Sequence, residues 1–546
     1  MLLILPPTGY LAHRDAPRPT AAAYRLGYKA TVTQIIGFCR ATVLECRAHH
    51  HLDTTRRKAF YPLLNNGNRP VSKIKTMFLT TLSLLVAASL QAASPSADDL
   101  AFRAVYKELV EINTTLSGGS CTVAAHAMAD QLRASGINDA DIHIIVAPEW
   151  PEQGNLVATL HGSSPDNESI LLLAHIDVVE ANRADWERDP FTLIEEDGYF
   201  FGRGTADDKS MAAIFVDVMK GLSESKFPLS RNVKLALTCG EETPNTFNGA
   251  SYLIQHHREL IDASFALNEG GGGRLDSAGK PMYNGIQAGE KLYQDYQLEV
   301  RNPGGHSSRP RADNAIYQLA AALERVSQHA FPIEFNSTTR GFFARMAKLT
   351  AEPQVATDMI EILTTPPNPE ALARMTNIPG YNSILHTTCV TTLVTAGHAK
   401  NALPQRASAN VNCRIFPGNK PEEIRLALEQ VVNDAGVVIT FVDPPEKTSP
   451  PPALTADILG PIETLTEQMW PGVPVIPSMI AGGTDGRFLT PAGIPTYGVS
   501  GLFTQPNDVN AHGLNEKVLV KSLYDSREFL ERLVKMYAGW PAQDTE

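Results

Sequence analysis

The residues best suited to chemistry lie where apolar runs stop. SILLLAHIDVV passes from an apolar segment to His175 and Asp177, one residue apart. Asp207 and Asp208 stand in GRGTADDKS, Glu241 and Glu242 follow VKLALTCG, Glu269 follows ASFALN, and His512 lies in NDVNAHGLNE. Each has an unremarkable reading. A lone histidine is commonly a hydrogen-bonded core residue, acids before a helix are caps, and paired loop glutamates are solvated. Together they form a different pattern. Several carboxylates brought to one place repel one another and resist ionisation unless cations neutralise them. Two imidazoles and several carboxylates, with no cysteine ligand spacing, suit a metal site of nitrogen and oxygen donors. At the strand period of two, His175 and Asp177 share a face, so Asp177 is expected to accept the second ring N–H of His175 and fix its tautomer.

The elements that must position these residues follow from periodicity. Residues 98–135 read as two helices, ending at Gly136. Apolar β-branched runs then alternate with helices: DIHIIVAP, NLVATLHG and SILLLAHIDVV, helix MAAIFVDVMKGLSES, strand NVKLALTCG, helix GASYLIQHHRELI, strand ASFALNEG. Such alternation predicts an α/β fold with a mostly parallel sheet flanked by helices, whose ligands sit beyond the carboxyl ends of the strands. After Lys291 a strand, a helix, two strands, a helix and a strand spell β-α-β-β-α-β, a ferredoxin-like unit, interrupted by an irregular, partly helical stretch from about 330 to 385. The proline run DPPEKTSPPPALT leads out of it. The expected plan is a catalytic domain at 94–290 and 450–546, with an inserted α+β lid or dimerisation domain at 291–449.

Totals set outer bounds. With 546 residues, 43% hydrophobic and 19% charged, the chain reads as globular with two or more domains. A net charge of −12 argues against nucleic-acid binding. Residues 1–70 carry ten Lys/Arg against three acids, so about −19 falls on the remainder. This basic segment has no sustained period and is expected to be a disordered leader or upstream sequence that the cell does not translate. Residues 71–93 have lysines, a short apolar stretch and small residues, the layout of a secretory signal peptide, with translation starting at Val71 or Met77. The apolar stretch is too short for a comfortable membrane span. Export to the periplasm or medium is therefore expected, with no stable span after cleavage. Cys39 and Cys46 fall in the leader. Cys389 and Cys413 lie on two strands that an antiparallel pairing could bring face to face, as a bridge or as free thiols. Cys121 and Cys239 are expected to be free and buried.

In this order, HIDVV, GRGTADDKS, CGEE, NEGG and AHGLNE resemble the co-catalytic di-zinc exopeptidases and deacylases, among them glutamate carboxypeptidase, Gly-X carboxypeptidase, succinyl-diaminopimelate desuccinylase, acetylornithine deacetylase and the aminoacylases. The resemblance covers nearly all of the chain after residue 95. It implies two Zn2+ per subunit, or Co2+ or Mn2+ in their place. Asp207, chosen over Asp208, would bridge them. His175 and Glu269 would complete one site, and Glu242 and His512 the other. Glu241 would be the general base, Asp177 the orienter of His175, and a cis peptide would follow Asp207. RNPGGHSSRP resembles the family's lid motif, implying that His306 stabilises the oxyanion, often in the partner subunit's site. Asn401 and Arg414 match positions that hold the substrate carboxylate, and Gly483 and Thr484 lie in GGTDGR, which resembles a loop lining the substrate pocket. The resemblance also implies a homodimer through the inserted domain. The implied activity is hydrolysis of amide bonds beside a free carboxylate. Short peptides are the first choice of substrate and N-acyl amino acids the second, and a catalytically dead binding relative is a third reading.

Overall fold

A computed structural model describes residues 96–163, 169–243, 246–506 and 508–539. The expected leader, signal segment and alternative start sites, with Cys39 and Cys46, lie outside the described residues.

The first sheet is built from the apolar runs. Ile170–His175 and Val233–Thr238 are buried along their whole length, as parallel strands covered on both faces must be. They pair in parallel, Ile170 opposite Val233 and His175 opposite Thr238. Phe265–Asn268 joins in parallel on the other side of Ile170–His175, and Thr496–Gly498 beyond it. Asn155–Leu160 and Ile142–Ile145 extend one edge antiparallel. Pro281–Glu290, Val475–Ile480 and two short strands complete the ten-stranded sheet at the other. Helices Ala97–Glu111, Cys121–Ala134, Lys209–Glu224 and Val520–Tyr537 contribute Phe102, Met128, Phe215 and Phe529 to the core on one face. Helix Gly249–His256 packs Leu253 on the other. The helix starts carry their own signals. Ser96 and Asp99 form a reciprocal capping box, and the Asn248 side chain accepts from the Ser251 N–H.

The second sheet is antiparallel, with strands in the order Thr388–Ala396, Arg406–Ile415, Leu292–Arg301, Val437–Phe441. Helices Ala315–Gln328 and Pro421–Val432 cover one face around Tyr296, Leu298, Val411 and Leu428. This is the predicted ferredoxin-like unit. The stretch expected to be irregular and partly helical holds four short helices, Ser337–Met346, Pro353–Glu361, Pro369–Thr376 and Pro379–Leu385. Three of them begin at proline, which needs no N–H in the first turn. Phe343, Met359, Ile362, Met375 and Leu385 pack together there with Met479 of the first sheet's strand Val475–Ile480. The apolar residues were spread over helices too short to show a period.

Two disulfides are present. Cys389 and Cys413 are directly opposed across the antiparallel pair. Cys121 and Cys239, expected to be free thiols, are also bridged, across 118 residues. Their Cα atoms lie 6.1 Å apart because the first turn of helix Cys121–Ala134 sits over the end of strand Val233–Thr238. Sequence separation hid that proximity. Among the described residues no helix is long and apolar enough to cross a membrane.

Candidate metal centre

The expected polar residues meet at the carboxyl ends of the parallel strands. His175 ends one strand, Glu241 and Glu242 follow the next after Cys239 and Gly240, and Glu269 directly follows the third. Asp207 lies just before helix Lys209–Glu224. Its Oδ1 is 3.1 Å from His175 Nε2 and its Oδ2 is 3.2 Å from His512 Nε2. Glu269 Oε2 is 3.7 Å from His175 Nε2, and Glu242 Oε1 is 2.9 Å from His512 Nε2. Asp207 thus stands between two groups, one of His175 and Glu269, the other of Glu242 and His512. Asp208 is buried beside Asp207, with an unpartnered Oδ2. The peptide between the two aspartates is cis.

Each ligand has its own support. His175 Nδ1 lies 3.1 Å from the backbone carbonyl of Asp177 and 3.6 Å from its carboxylate. The backbone carbonyl is therefore the nearer partner, a correction to the expected side-chain contact. The Asp177 carboxylate accepts instead from the N–H groups of Glu241 and Glu242, at 3.2 and 3.0 Å. It anchors the loop that carries the base and a ligand. His512 holds a left-handed backbone conformation, φ 60°, which non-glycine residues rarely adopt outside sites that enforce it. At Gly271, φ 65°, an added Cβ would collide with the Gly498 carbonyl, so the turn after Glu269 requires glycine.

Three supporting groups were not anticipated. Glu516 is fully buried. It accepts from Arg203 at 2.7 Å and from the backbone N–H groups of Gly204, Ala206 and Asp207 at 3.1, 2.8 and 3.1 Å. It shapes the loop that presents Asp207. Asp485 is also buried and accepts from Thr238 and Asn248, both at 2.7 Å, while Asn248 donates to the Gly240 carbonyl. Glu290 accepts from the Thr484 N–H and hydroxyl at 2.7 and 3.0 Å. Glu516 and Asp485 sit inside the motifs AHGLNE and GGTDGR, so a lone acid in a glycine-rich loop was the available signal.

The electrostatics fit cation binding. Burial pushes Asp207 up, but His175 and His512 outweigh it and hold its carboxylate well below the usual range. Burial lifts Glu241 to about 9 and also raises Glu269. The Asp207 and Glu242 side chains raise His512 to about 10. Protons here do the neutralising that cations would do, as crowded buried acids require. Glu242 Oε1 is buried and accepts no well-aligned hydrogen bond despite lying 2.9 Å from His512, as two metal donors facing a common point would. The ligand atoms of His175, Asp207 and Glu242 can all lie within 4.8 Å of one another, as can those of His175, Glu241 and Glu269. The donor set fits metal.

The inserted unit divides its expected residues. Arg414 lies at the end nearer the centre, stacked over Tyr293 at 4.6 Å and donating to the Ala481 carbonyl at 3.4 Å. Asn401 lies at the opposite end of the same sheet. The register from Ala407, opposite Ala396, to Arg414, opposite Thr388, spans about 23 Å at roughly 3.3 Å per residue. Within one chain Asn401 and Arg414 do not act on one carboxylate. Asn401 accompanies His306 instead, its carbonyl accepting from the Ser307 N–H at 3.1 Å. Gly483 is half-buried beside Arg487, while Thr484 is buried and donates its N–H and hydroxyl to Glu290.

Comparison with known proteins agrees with this geometry. The model of peptidase family M20/M25/M40 matches residues 171–536. The chain belongs to that family. The M20 chain is 31% identical over 405 residues to the human N-fatty-acyl-amino acid synthase/hydrolase PM20D1, covering 71% of this chain and 78% of that protein. It is 26% identical over 404 residues to a probable carboxypeptidase S-like 2 of Dictyostelium discoideum, covering 70% and 74%. In fold it is similar to the M20 metallo-carboxypeptidase Sso-CP2 of Sulfolobus solfataricus, with a TM-score of 0.60 at 20% identity over 80% of this chain and 99% of that one. The M20 chain is a metallohydrolase.

Proposed function

We propose that the protein is an exported hydrolase of N-acyl amino acids with two Zn2+ held by His175, Asp207, Glu242, Glu269 and His512. This reverses the first choice drawn from sequence, short peptides. The observation that carries it is Arg274. A cavity of about 330 Å3 opens beside Asp207 and Glu269 and is lined by Met211, Tyr283, Leu502, Val509 and Arg274. The Arg274 side chain has no ion pair or hydrogen bond among the described residues. A free dipeptide would bring its N-terminal ammonium to this side of the scissile carbonyl. The guanidinium repels it, and the acids nearby are two metal ligands and the buried Asp208. An acylated substrate brings an apolar chain, which the cavity wall and the Arg274 stem accept. The relationship to the N-fatty-acyl-amino acid synthase/hydrolase supports the same choice.

Bound zinc would polarise the amide carbonyl and acidify water at neutral pH. Glu241 accepts the proton of the attacking water on its carboxylate and passes it to the leaving nitrogen. Asp177 holds Glu241 in place through its N–H. Arg414 grips the substrate carboxylate with its planar fork. His306 Nδ1 accepts from the Ser308 N–H at 3.2 Å, which leaves the proton on Nε2 to meet an oxyanion.

His306 and Asn401 serve the site of a second copy in this proposal. The edge strand Thr388–Ala396 has no outer neighbour among the described residues, and Val390 and Leu393 are 58% and 69% exposed. Two such edges pair about a twofold axis. The two disulfides support export.

The test is the full chain, zinc-loaded, with N-acyl amino acids and free dipeptides of matched sequence. The expected result is kcat/KM at least about tenfold higher for the acylated set. The reverse order would restore the peptidase reading.

A further inference from the structure

The face of the inserted sheet opposite its two helices carries a buried acid. At the strand period of two, Leu292, Tyr296, Leu298 and Val300 belong to the core beneath the helices, and Tyr293 and Asp295 lie on the other face. Asp295 is nonetheless only 8% exposed. A carboxylate buried in this way is costly unless donors hold it. Three do. The Tyr293 hydroxyl donates to Oδ2 at 2.7 Å, and the side-chain amides of Asn410 and Asn412 both donate to Oδ1 at 2.9 Å. Asn410 and Asn412 lie on the neighbouring strand Arg406–Ile415, with Asn412 directly opposite Asp295. Donors from two strands thus fix the carboxylate and, through it, the tyrosine hydroxyl.

The ring so fixed lies under Arg414. Tyr293 and Arg414 are directly opposed across the same two strands, and the guanidinium sits 4.6 Å from the ring centroid. Stacking holds the plane of a guanidinium and with it the direction of its fork. Arg414 is half-buried, and its one hydrogen bond among the described residues, to the Ala481 carbonyl at 3.4 Å, leaves its other N–H groups for an anion. The same contact ties the fork to the metal centre. Thr484 lies three residues beyond Ala481, at most about 11 Å along the chain. Its hydroxyl accepts from Asn268 at 3.1 Å, and Asn268 directly precedes the proposed ligand Glu269. Asp485, next in the loop, accepts from Asn248, which also donates to the carbonyl of Gly240, directly before the proposed base Glu241.

We propose that Tyr293, locked by Asp295, is a positioning residue that aims the Arg414 fork at the substrate carboxylate, so that this pair sets the preference for a free carboxylate over a neutral group. The inference rests on the N-acyl-amino-acid reading, with Arg414 as its carboxylate grip. A cross-strand polar network also stabilises a sheet. That role alone would act on every substrate alike, whereas aiming Arg414 acts on those that carry the anion.

The experiment uses the zinc-loaded full chain with an N-acyl-L-leucine and the matching N-acyl-L-leucinamide, whose carboxamide has nearly the carboxylate's shape without its charge. The unmodified enzyme should favour the acid in kcat/KM by at least about tenfold, as a charge-assisted bidentate pair does. Tyr293→Ala removes the stacked ring and should lower that ratio about three- to tenfold, through KM of the acid rather than kcat. Tyr293→Phe keeps the ring and loses only the hold on Asp295, so the ratio should fall by less, about twofold. Damage to folding or to metal binding lowers both substrates together and leaves the ratio as it was. A ratio untouched by both variants would overturn the positioning role and leave the N-acyl function standing. Equal cleavage of acid and amide by the unmodified enzyme would mean that no carboxylate grip exists, which removes the inference and again spares the parent function. Cleavage of neither would remove both.

Discussion

The strand ends around Asp207 and the hairpin tip around His306 hold similar polar groups, but only the first set converges within one chain. His175, Glu242, Glu269 and His512 come from four separate segments, yet their donors lie within 2.9 to 3.7 Å of a neighbour in the cluster. His306 and Asn401 come together only with each other, exposed, at the far end of an edge strand. Convergence in the first case is enforced by a parallel sheet, which delivers all its carboxyl ends to one side. An antiparallel unit has no such side, and a site built from it requires another surface to approach.

The sharpest way to break this comparison is at Glu241. Glu241→Gln should lower kcat/KM by about 10²–10⁴-fold with bound metal unchanged, since the side chain acts on protons rather than on cations. Glu242→Gln should instead lower the metal content, read by elemental analysis after dialysis. Equal metal loss in both would reverse the two roles. Next in size is His306→Ala, expected to cost about 10²–10³-fold, as loss of an oxyanion donor does. Mixed after chain exchange with Glu241→Gln, it should regain part of the activity, because a hybrid dimer carries one site with both intact groups. Leu393→Lys, which charges the exposed edge, should yield monomers by light scattering and a loss like that of His306→Ala. Full activity in those monomers would make the tip irrelevant and the first region self-sufficient.

A smaller effect probes the support beneath the centre. Glu516 receives four donors and touches no proposed ligand side chain, holding Asp207 through its backbone. Glu516→Gln keeps the shape but replaces one acceptor oxygen by a donor facing N–H groups. Metal affinity, measured by competition with a chelator, should fall about 10–100-fold, the range for groups that orient ligands. Unchanged affinity would mean that the cis-linked loop before helix Lys209–Glu224 holds itself.

What was legible in the sequence follows the same division. His175, Asp207 and Glu269 could be found because each interrupts a regular pattern at a place where α/β sheets bind ligands. The ferredoxin-like unit was legible because its periods switch cleanly between two and 3.6. The Cys121–Cys239 bridge was not, since nothing local says that a helix start lies over a strand end 118 residues away. The stretch between Ser337 and Leu385 was legible only as partly helical, its helices each too short to repeat an apolar face. The separation of Asn401 from Arg414 was hidden by their thirteen-residue spacing in sequence, close along the chain although Asn401 lies before the start of strand Arg406–Ile415 and Arg414 near its other end.

The smallest expected effect lies at the junction of the two regions. Lys291 follows strand Pro281–Glu290 of the first sheet and precedes strand Leu292–Arg301 of the second. Its ammonium is buried and donates to the carbonyls of Ser383 and His386 and to the Thr388 hydroxyl, at 2.8, 2.8 and 3.1 Å. Burial, with Arg414 nearby, lowers it from 10.5 to about 7. Between those values the unfolded chain holds a proton that the folded chain has released, so this group makes stability rise with pH across the window. Glu290 acts in the opposite sense at lower pH. Burial raises it from 4.5 to about 8, and stability falls as pH climbs through that range. Urea midpoints of the unmodified protein and of Lys291→Met, taken from pH 7 to 10, isolate the lysine. The difference between them should grow in favour of the unmodified protein as pH rises. Parallel curves would mean that the ammonium stays charged in the fold, its three acceptors sufficient to hold the proton against burial. The two sheets would then be joined by a charged clamp rather than a neutral one.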